Sequence, residues 1–200
     1  MKKPLLPILL ACLCLAQACS PRDFLTRRLA ADLIASSDAF KATQRFWLRT
    51  GAISNKEYLS PEYMVLARRG WINASNAPCP AEIAPPPCWD VALTPLGVDT
   101  FRGLMPNNSA PSSYFSVPAA RRQLLGVSGI SKRDDLAEVD FQWKWAPLNE
   151  VGAALYGDGV PYNTTVGFRH YDDGWRVIES KEPVQFQGID DALKGSQPAQ

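Results

Sequence analysis

The chain has 200 residues, 46% of them hydrophobic, with 21 basic and 20 acidic side chains and a net charge of +1 at pH 7. That is enough chain for one sizeable domain or two small ones with a core of their own. The near balance of charge, with no basic stripe, lacks the phosphate attraction on which nucleic-acid binding rests, and no nucleic-acid partner is expected.

The chain opens with Lys2 and Lys3, then an apolar run from Leu5 to Leu15, then Ala16-Gln17-Ala18-Cys19. This is the basic, apolar and small-residue order of a secretory leader, too short to span a bilayer. Residues 16 to 19 resemble the lipobox of bacterial lipoproteins. The resemblance implies cleavage before Cys19, lipidation of its sulfur, and an N-terminal anchor holding the protein at a membrane. Ordinary signal cleavage after Ala18 is the competing reading. Ser20 after the cysteine implies export to the outer membrane, where the protein would be expected on the periplasmic face. Each buried acyl CH₂ adds about 0.8 kcal/mol of membrane affinity, so such an anchor is effectively permanent. Loss of residues 1–18 removes two of the 21 basic residues and leaves 19 against 20 acidic ones.

From Pro21 to Arg49 no glycine occurs, and Phe24, Leu25, Leu29, Leu33, Ile34, Phe40 and Trp47 recur at spacings of three and four, which predicts an amphipathic helix weakened near Ser36-Ser37. Ser60-Pro61-Glu62 marks a second helix start, running to Arg69-Gly70. Trp71-Ile72 and Trp89 to Leu93 read as a short strand pair around a proline-rich loop, and Thr94-Pro95 opens a third helix ending at Pro106. The run Leu66 to Ile72 followed by Val91 to Gly97 resembles the recognition helix, wing and next helix of winged-helix regulators, across residues 60–105. That resemblance implies a scaffold without DNA binding, because the loop carries prolines in place of basic residues.

Cys79 and Cys88 bracket that loop. With Cys12 and Cys14 in the leader and Cys19 acylated, they are the remaining pair, and in an oxidising compartment they are expected to form a disulfide. A zinc site is the competing reading, but one histidine, His170, cannot complete a tetrahedral shell with them unless carboxylates join. No metal or cofactor is expected.

Residues 106–118 are rich in Pro, Asn and Ser and read as a linker. Beyond it the period becomes two: Val139, Phe141, Trp143 and Trp145 alternate with Glu138, Asp140, Gln142 and Lys144, as in a half-covered antiparallel strand. Pro147 to Tyr156 is a short helix candidate. Thr164 to Tyr171 and Trp175 to Glu179 pair across Asp172-Asp173-Gly174. The expected fold is therefore α+β: an N-terminal helical half with a small disulfide-closed hairpin, then an antiparallel meander sheet. The segments are a leader at 1–18, a helical half at 19–105, the linker, a β half at 119–187 and a flexible tail at 188–200.

No Walker loop, dinucleotide fingerprint, nucleophile elbow or zincin helix occurs in the sequence. His170 shares a strand face with Val166 and Phe168, a place more typical of a packed histidine than of a base. Glu138 with Asp140, or Asp172 with Asp173, read as solvated strand and turn. The expectation is a non-catalytic envelope protein with a structural or interaction role, whose partners are the membrane and other envelope proteins. The alternative is a periplasmic ligand-binding domain in which Trp143, Trp145 and Trp175 surround a pocket, against which strict alternation places them in the core.

Overall fold

The computed structural model describes residues 24–83, 85–104, 114–179 and 186–199. The leader, Cys19, Met105 and residues 106–113 of the expected linker lie outside them. Strands make up 44% and helices 29%. The expected N-terminal helical half is thus overturned: an antiparallel sheet dominates and the helices are short and scattered. In hydrogen-bonded order the larger sheet runs β1 (Gln44–Arg49), β5 (Tyr114–Arg133), β6 (Leu136–Pro147), β7 (Tyr162–Tyr171), β8 (Gly174–Val177), with β9 (Gln197–Pro198) also paired to β7, and a second sheet runs β2 (Gly51–Ser54), β4 (Cys88–Leu93), β3 (Ile72–Ala77).

The chain divides into two compact units, the first built from residues 24–41, 124–143, 162–179 and 186–199. It begins with α1 (Arg27–Ser36), capped by the Thr26 hydroxyl, which accepts a hydrogen bond from the Leu29 N–H at 3.1 Å. Ala30 and Ile34, four apart, form its buried stripe. The predicted long helix stops here, at Ser37, where the backbone turns extended and the buried hydroxyl donates to the Ile34 carbonyl at 2.7 Å. A short turn of helix, α2 (Asp38–Lys41), follows and buries Phe40 edge-on against Phe141, with centroids 6.4 Å apart.

The sheet of this unit uses the distal parts of β5 (Tyr114–Arg133) and β6 (Leu136–Pro147), with β7 (Tyr162–Tyr171) and β8 (Gly174–Val177). The alternation read in β6 is observed: Val139, Phe141 and Trp143 are buried and Glu138 and Asp140 exposed. Val139 pairs with Val166 and Asp140 with Thr165 on β7. The β7–β8 hairpin turns at Asp172-Asp173, with Gly174 at φ +125°, a conformation β-carbons rarely permit. The C-terminal residues, read as a frayed tail, form α7 (Ile189–Lys194), which buries Ile189, Ala192 and Leu193, and then β9 (Gln197–Pro198) on β7. Their i, i+3, i+4 spacing is a single amphipathic turn, short enough to be masked by the polar residues around it.

The second unit comprises described residues within 42–123 and 144–161. Residues expected to end the first helix form β1 (Gln44–Arg49), antiparallel to the Tyr114–Ala120 stretch of β5, so the last part of the expected linker is also strand. Phe46 and Leu48 are buried while Arg45 and Trp47 are exposed, a period of two that the helical spacing of more distant apolar residues obscured. Then come β2 (Gly51–Ser54), α3 (Asn55–Tyr58), α4 (Pro61–Arg68), β3 (Ile72–Ala77), β4 (Cys88–Leu93), α5 (Pro95–Arg102) and, after β6, α6 (Glu150–Tyr156). Both predicted starts, Ser60-Pro61 and Thr94-Pro95, open helices. The core gathers Leu48, Ile53, Leu66, Trp71, Val91 and Phe101. Gly97 and Gly152 let two helices approach other backbone closely, because a β-carbon at either would lie within 2 Å of a backbone carbonyl oxygen, 1.9 Å from that of Trp71 just before β3 and 1.8 Å from that of Ala119 in β5.

Candidate functional site

In the first unit, β5, β6, β7 and the segment after α7 surround an open cleft of about 730 Å³. Its polar walls come from outward positions of the strands. Asp140 and Thr165 are cross-strand partners, and the Thr165 hydroxyl donates to Asp140 Oδ1 at 2.6 Å. Ser128 donates from β5 to the Asp140 backbone carbonyl at 3.1 Å. Gly129 beside it leaves room for the carboxylate, since a β-carbon there would sit 2.8 Å from Asp140 Oδ2. On the next rung Gln142 Nε2 donates to Asn163 Oδ1 at 2.9 Å, which fixes the amide and leaves its nitrogen for other acceptors.

The remaining wall is residues 195–198, held by a directional chain of hydrogen bonds. Trp143 Nε1–H donates to Thr164 Oγ1 at 2.9 Å, and the Thr164 and Ser196 hydroxyls lie 2.5 Å apart. Ser196 in turn donates to the Ala192 carbonyl at 3.0 Å, so its proton is spent and Thr164 is the donor between the two. This chain satisfies a hydroxyl, Thr164, that is otherwise buried at a cost. It also fastens Gln197 and Pro198 alongside β7.

The tryptophans read as lining a pocket each have neighbours of their own within their unit. Trp143 is 2% exposed and stacks on Tyr162 at 4.7 Å. Trp175 is buried, with the His170 ring 5.0 Å from its own and Lys132 over its face at 5.2 Å. Trp145 belongs to the second unit, beside Tyr156 at 5.5 Å and under the Arg122 guanidinium at 4.9 Å. Trp71 is buried on Phe101, and Trp89 donates to Asn55 Oδ1 at 2.9 Å. Trp47 alone among the six is mainly on the surface, 56% exposed next to Tyr114.

Cys79 and Cys88 are bonded, nine residues apart, closing the loop between β3 and β4. His170 is half-buried; its backbone N–H donates to the Asp135 carbonyl at 2.7 Å, and its buried Nε2 has no hydrogen-bond partner among the described residues. A second, smaller hollow of about 380 Å³ near it mixes Asp135, Asp173, Arg169 and Arg176. There the Arg176 guanidinium hydrogen-bonded to Asp173 lowers the carboxyl pKa below its ordinary value. Among the described residues no group of three or more His, Cys, Asp or Glu side chains is arranged to hold a metal ion.

Sequence reasoning weighed Asp140 only beside Glu138, as a solvated strand residue, and gave Asn163 and Thr165 no role in a site, because wet-face residues of a strand carry no signal beyond alternation. Only the β6–β7 register brings them together. Gln197 lay in the tail where no packing was expected, and Gln187 at the very end of the expected β half. Compared with protein-family models, with curated proteins and with solved structures, the chain matches none.

Proposed function

We propose that the chain is a lipid-anchored protein of the cell envelope, held through Cys19 at the periplasmic face of the outer membrane, with a non-catalytic structural or interaction role. The observation that carries this reading is the Cys79–Cys88 bond. It matches the oxidising space to which the leader would send the chain, and it leaves Cys19 as the one other cysteine beyond the leader. A cysteine directly after a cut site is then accounted for by acylation, not by an exposed thiol.

The test is fractionation of a Gram-negative host expressing the wild type, Cys19→Ala and Ser20→Asp. The proposal expects the wild type in the outer membrane, Cys19→Ala released to the soluble periplasm, and Ser20→Asp moved toward the inner membrane. A soluble wild type overturns the anchor.

A second reading, a periplasmic ligand-binding domain, is favoured by the open cleft at Asp140. It differs from the aromatic pocket first expected, since the groups facing that space are hydroxyls, amides and one carboxylate. Anchoring and binding are compatible, and the cleft is the surface through which an interaction role would be exercised.

A further inference from the structure

Resting on the ligand-binding reading, we propose that the cleft bounded by Asp140, Asn163, Thr165, Gln187 and Gln197 binds a hydroxyl-rich ligand that is cationic or neutral, of the amino-sugar class, with its nitrogen toward Asp140.

The argument starts from hydrogen-bonding capacity. Asp140 uses Oδ1 on Thr165, while Oδ2 lies over Gly129 with no partner among the described residues. Asn163 has its oxygen occupied by Gln142, so its amide nitrogen is the free end. Gln187 and Gln197 add side chains that can both donate and accept. One fixed acceptor of negative charge ringed by amide donors and acceptors complements an ammonium or amide N–H flanked by hydroxyls.

Charge then narrows the class. Among the described residues Asp140 is the only charged one lining the cleft, and no described Lys or Arg lines it. A carboxylate or phosphate on the ligand would meet an uncompensated like charge, whereas a cation gains a charge-assisted hydrogen bond. Pro198, exposed on β9, supplies a small apolar surface suited to the C–H face of a sugar ring.

Preorganisation separates this arrangement from an ordinary wet strand face. Asp140 and Asn163 are each held by a neighbouring side chain, and the Gln197–Pro198 wall is fastened through the Trp143–Thr164–Ser196 chain. Groups already fixed lose little entropy on binding, which is what gives an open polar site usable affinity.

The experiment is saturation-transfer NMR on the full-length protein, extracted in a polyoxyethylene detergent that carries no sugar. The probes are glucosamine, N-acetylglucosamine, glucuronate and ethylammonium. The wild type should give saturable transfer to glucosamine, weaker transfer to N-acetylglucosamine, and none to glucuronate or ethylammonium. Asp140→Asn should weaken glucosamine about tenfold and admit glucuronate, while its melting temperature stays that of the wild type because Asp140 is exposed. Thr165→Val, which frees the carboxylate without removing its charge, should weaken glucosamine but still exclude glucuronate.

Equal transfer to glucosamine and glucuronate in the wild type, ethylammonium binding as well as glucosamine, an unchanged ranking in Asp140→Asn, or no saturable transfer to either amino sugar would each overturn the proposal. None of these outcomes depends on where the protein fractionates, so the anchor stands or falls separately.

Discussion

Replacing Trp143 by Ala tests whether this residue is core or a ligand platform. Its side chain is 2% exposed, stacked on Tyr162 and hydrogen-bonded to Thr164. Burying roughly 200 Å² of indole at ~25 cal/mol per Å² corresponds to about 5 kcal/mol, an upper figure because an unfolded chain already hides some of that surface. Large aromatic truncations in cores cost about 3–5 kcal/mol, and the Thr164–Ser196 chain loses its first donor as well, about 1 kcal/mol. A loss near 4 kcal/mol lowers the melting temperature of a chain this size by roughly 10 °C. Trp143→Phe keeps the ring contact but not the N–H and should lose about 1–2 kcal/mol. Urea denaturation followed by circular dichroism gives both values. A loss below ~1 kcal/mol for the alanine variant refutes the assignment of Trp143 to the core.

Gly97→Ala places a β-carbon 1.9 Å from the Trp71 carbonyl oxygen, a position only backbone movement relieves, so α5 must shift; the expected loss is about 1–3 kcal/mol or more by denaturation, and an unchanged midpoint contradicts the packing described. Burial pushes the Tyr63 phenol up to about 12, although the hydrogen bond it accepts from the Arg49 N–H partly opposes this. Because the folded state holds that proton more tightly than the unfolded one, stability is full below pH 10 and falls through pH 12, by roughly 2–3 kcal/mol. Tyr63→Phe should flatten that part of the pH profile, and a profile identical to wild type is the contrary result. Cys79→Ser with Cys88→Ser should cost about 2.5–3 kcal/mol from reopening so short a loop, and intact mass should rise by roughly two daltons on reduction of the wild type alone.

The elements legible in the sequence are those whose determinants are local. Ser60-Pro61 and Thr94-Pro95 announce helix starts, Gly174 a hairpin, and the strict alternation from Val139 to Trp143 a strand with one dry face. Strand β1 was not legible because its partner lies some 70 residues away. Arg45 and Trp47 alternate with Phe46 and Leu48 over too few residues to outweigh the helical spacing upstream. The same distance hid the cleft. Asp140 looks like any solvated strand residue until Thr165 is set opposite it and Gly129 beneath it. Residues 189–198 carried a short apolar pattern among polar neighbours, and its meaning depends on a sheet edge that sequence proximity does not reveal.

The proposal of an envelope anchor is tested most directly by the intact mass of the wild-type protein purified from a Gram-negative host. The account predicts a chain beginning at Cys19, heavier than the residues 19–200 alone by an acyl-sized increment that disappears in Cys19→Ala. A wild-type mass equal to that of the unmodified chain, or one that still includes residues 1–18, would contradict it.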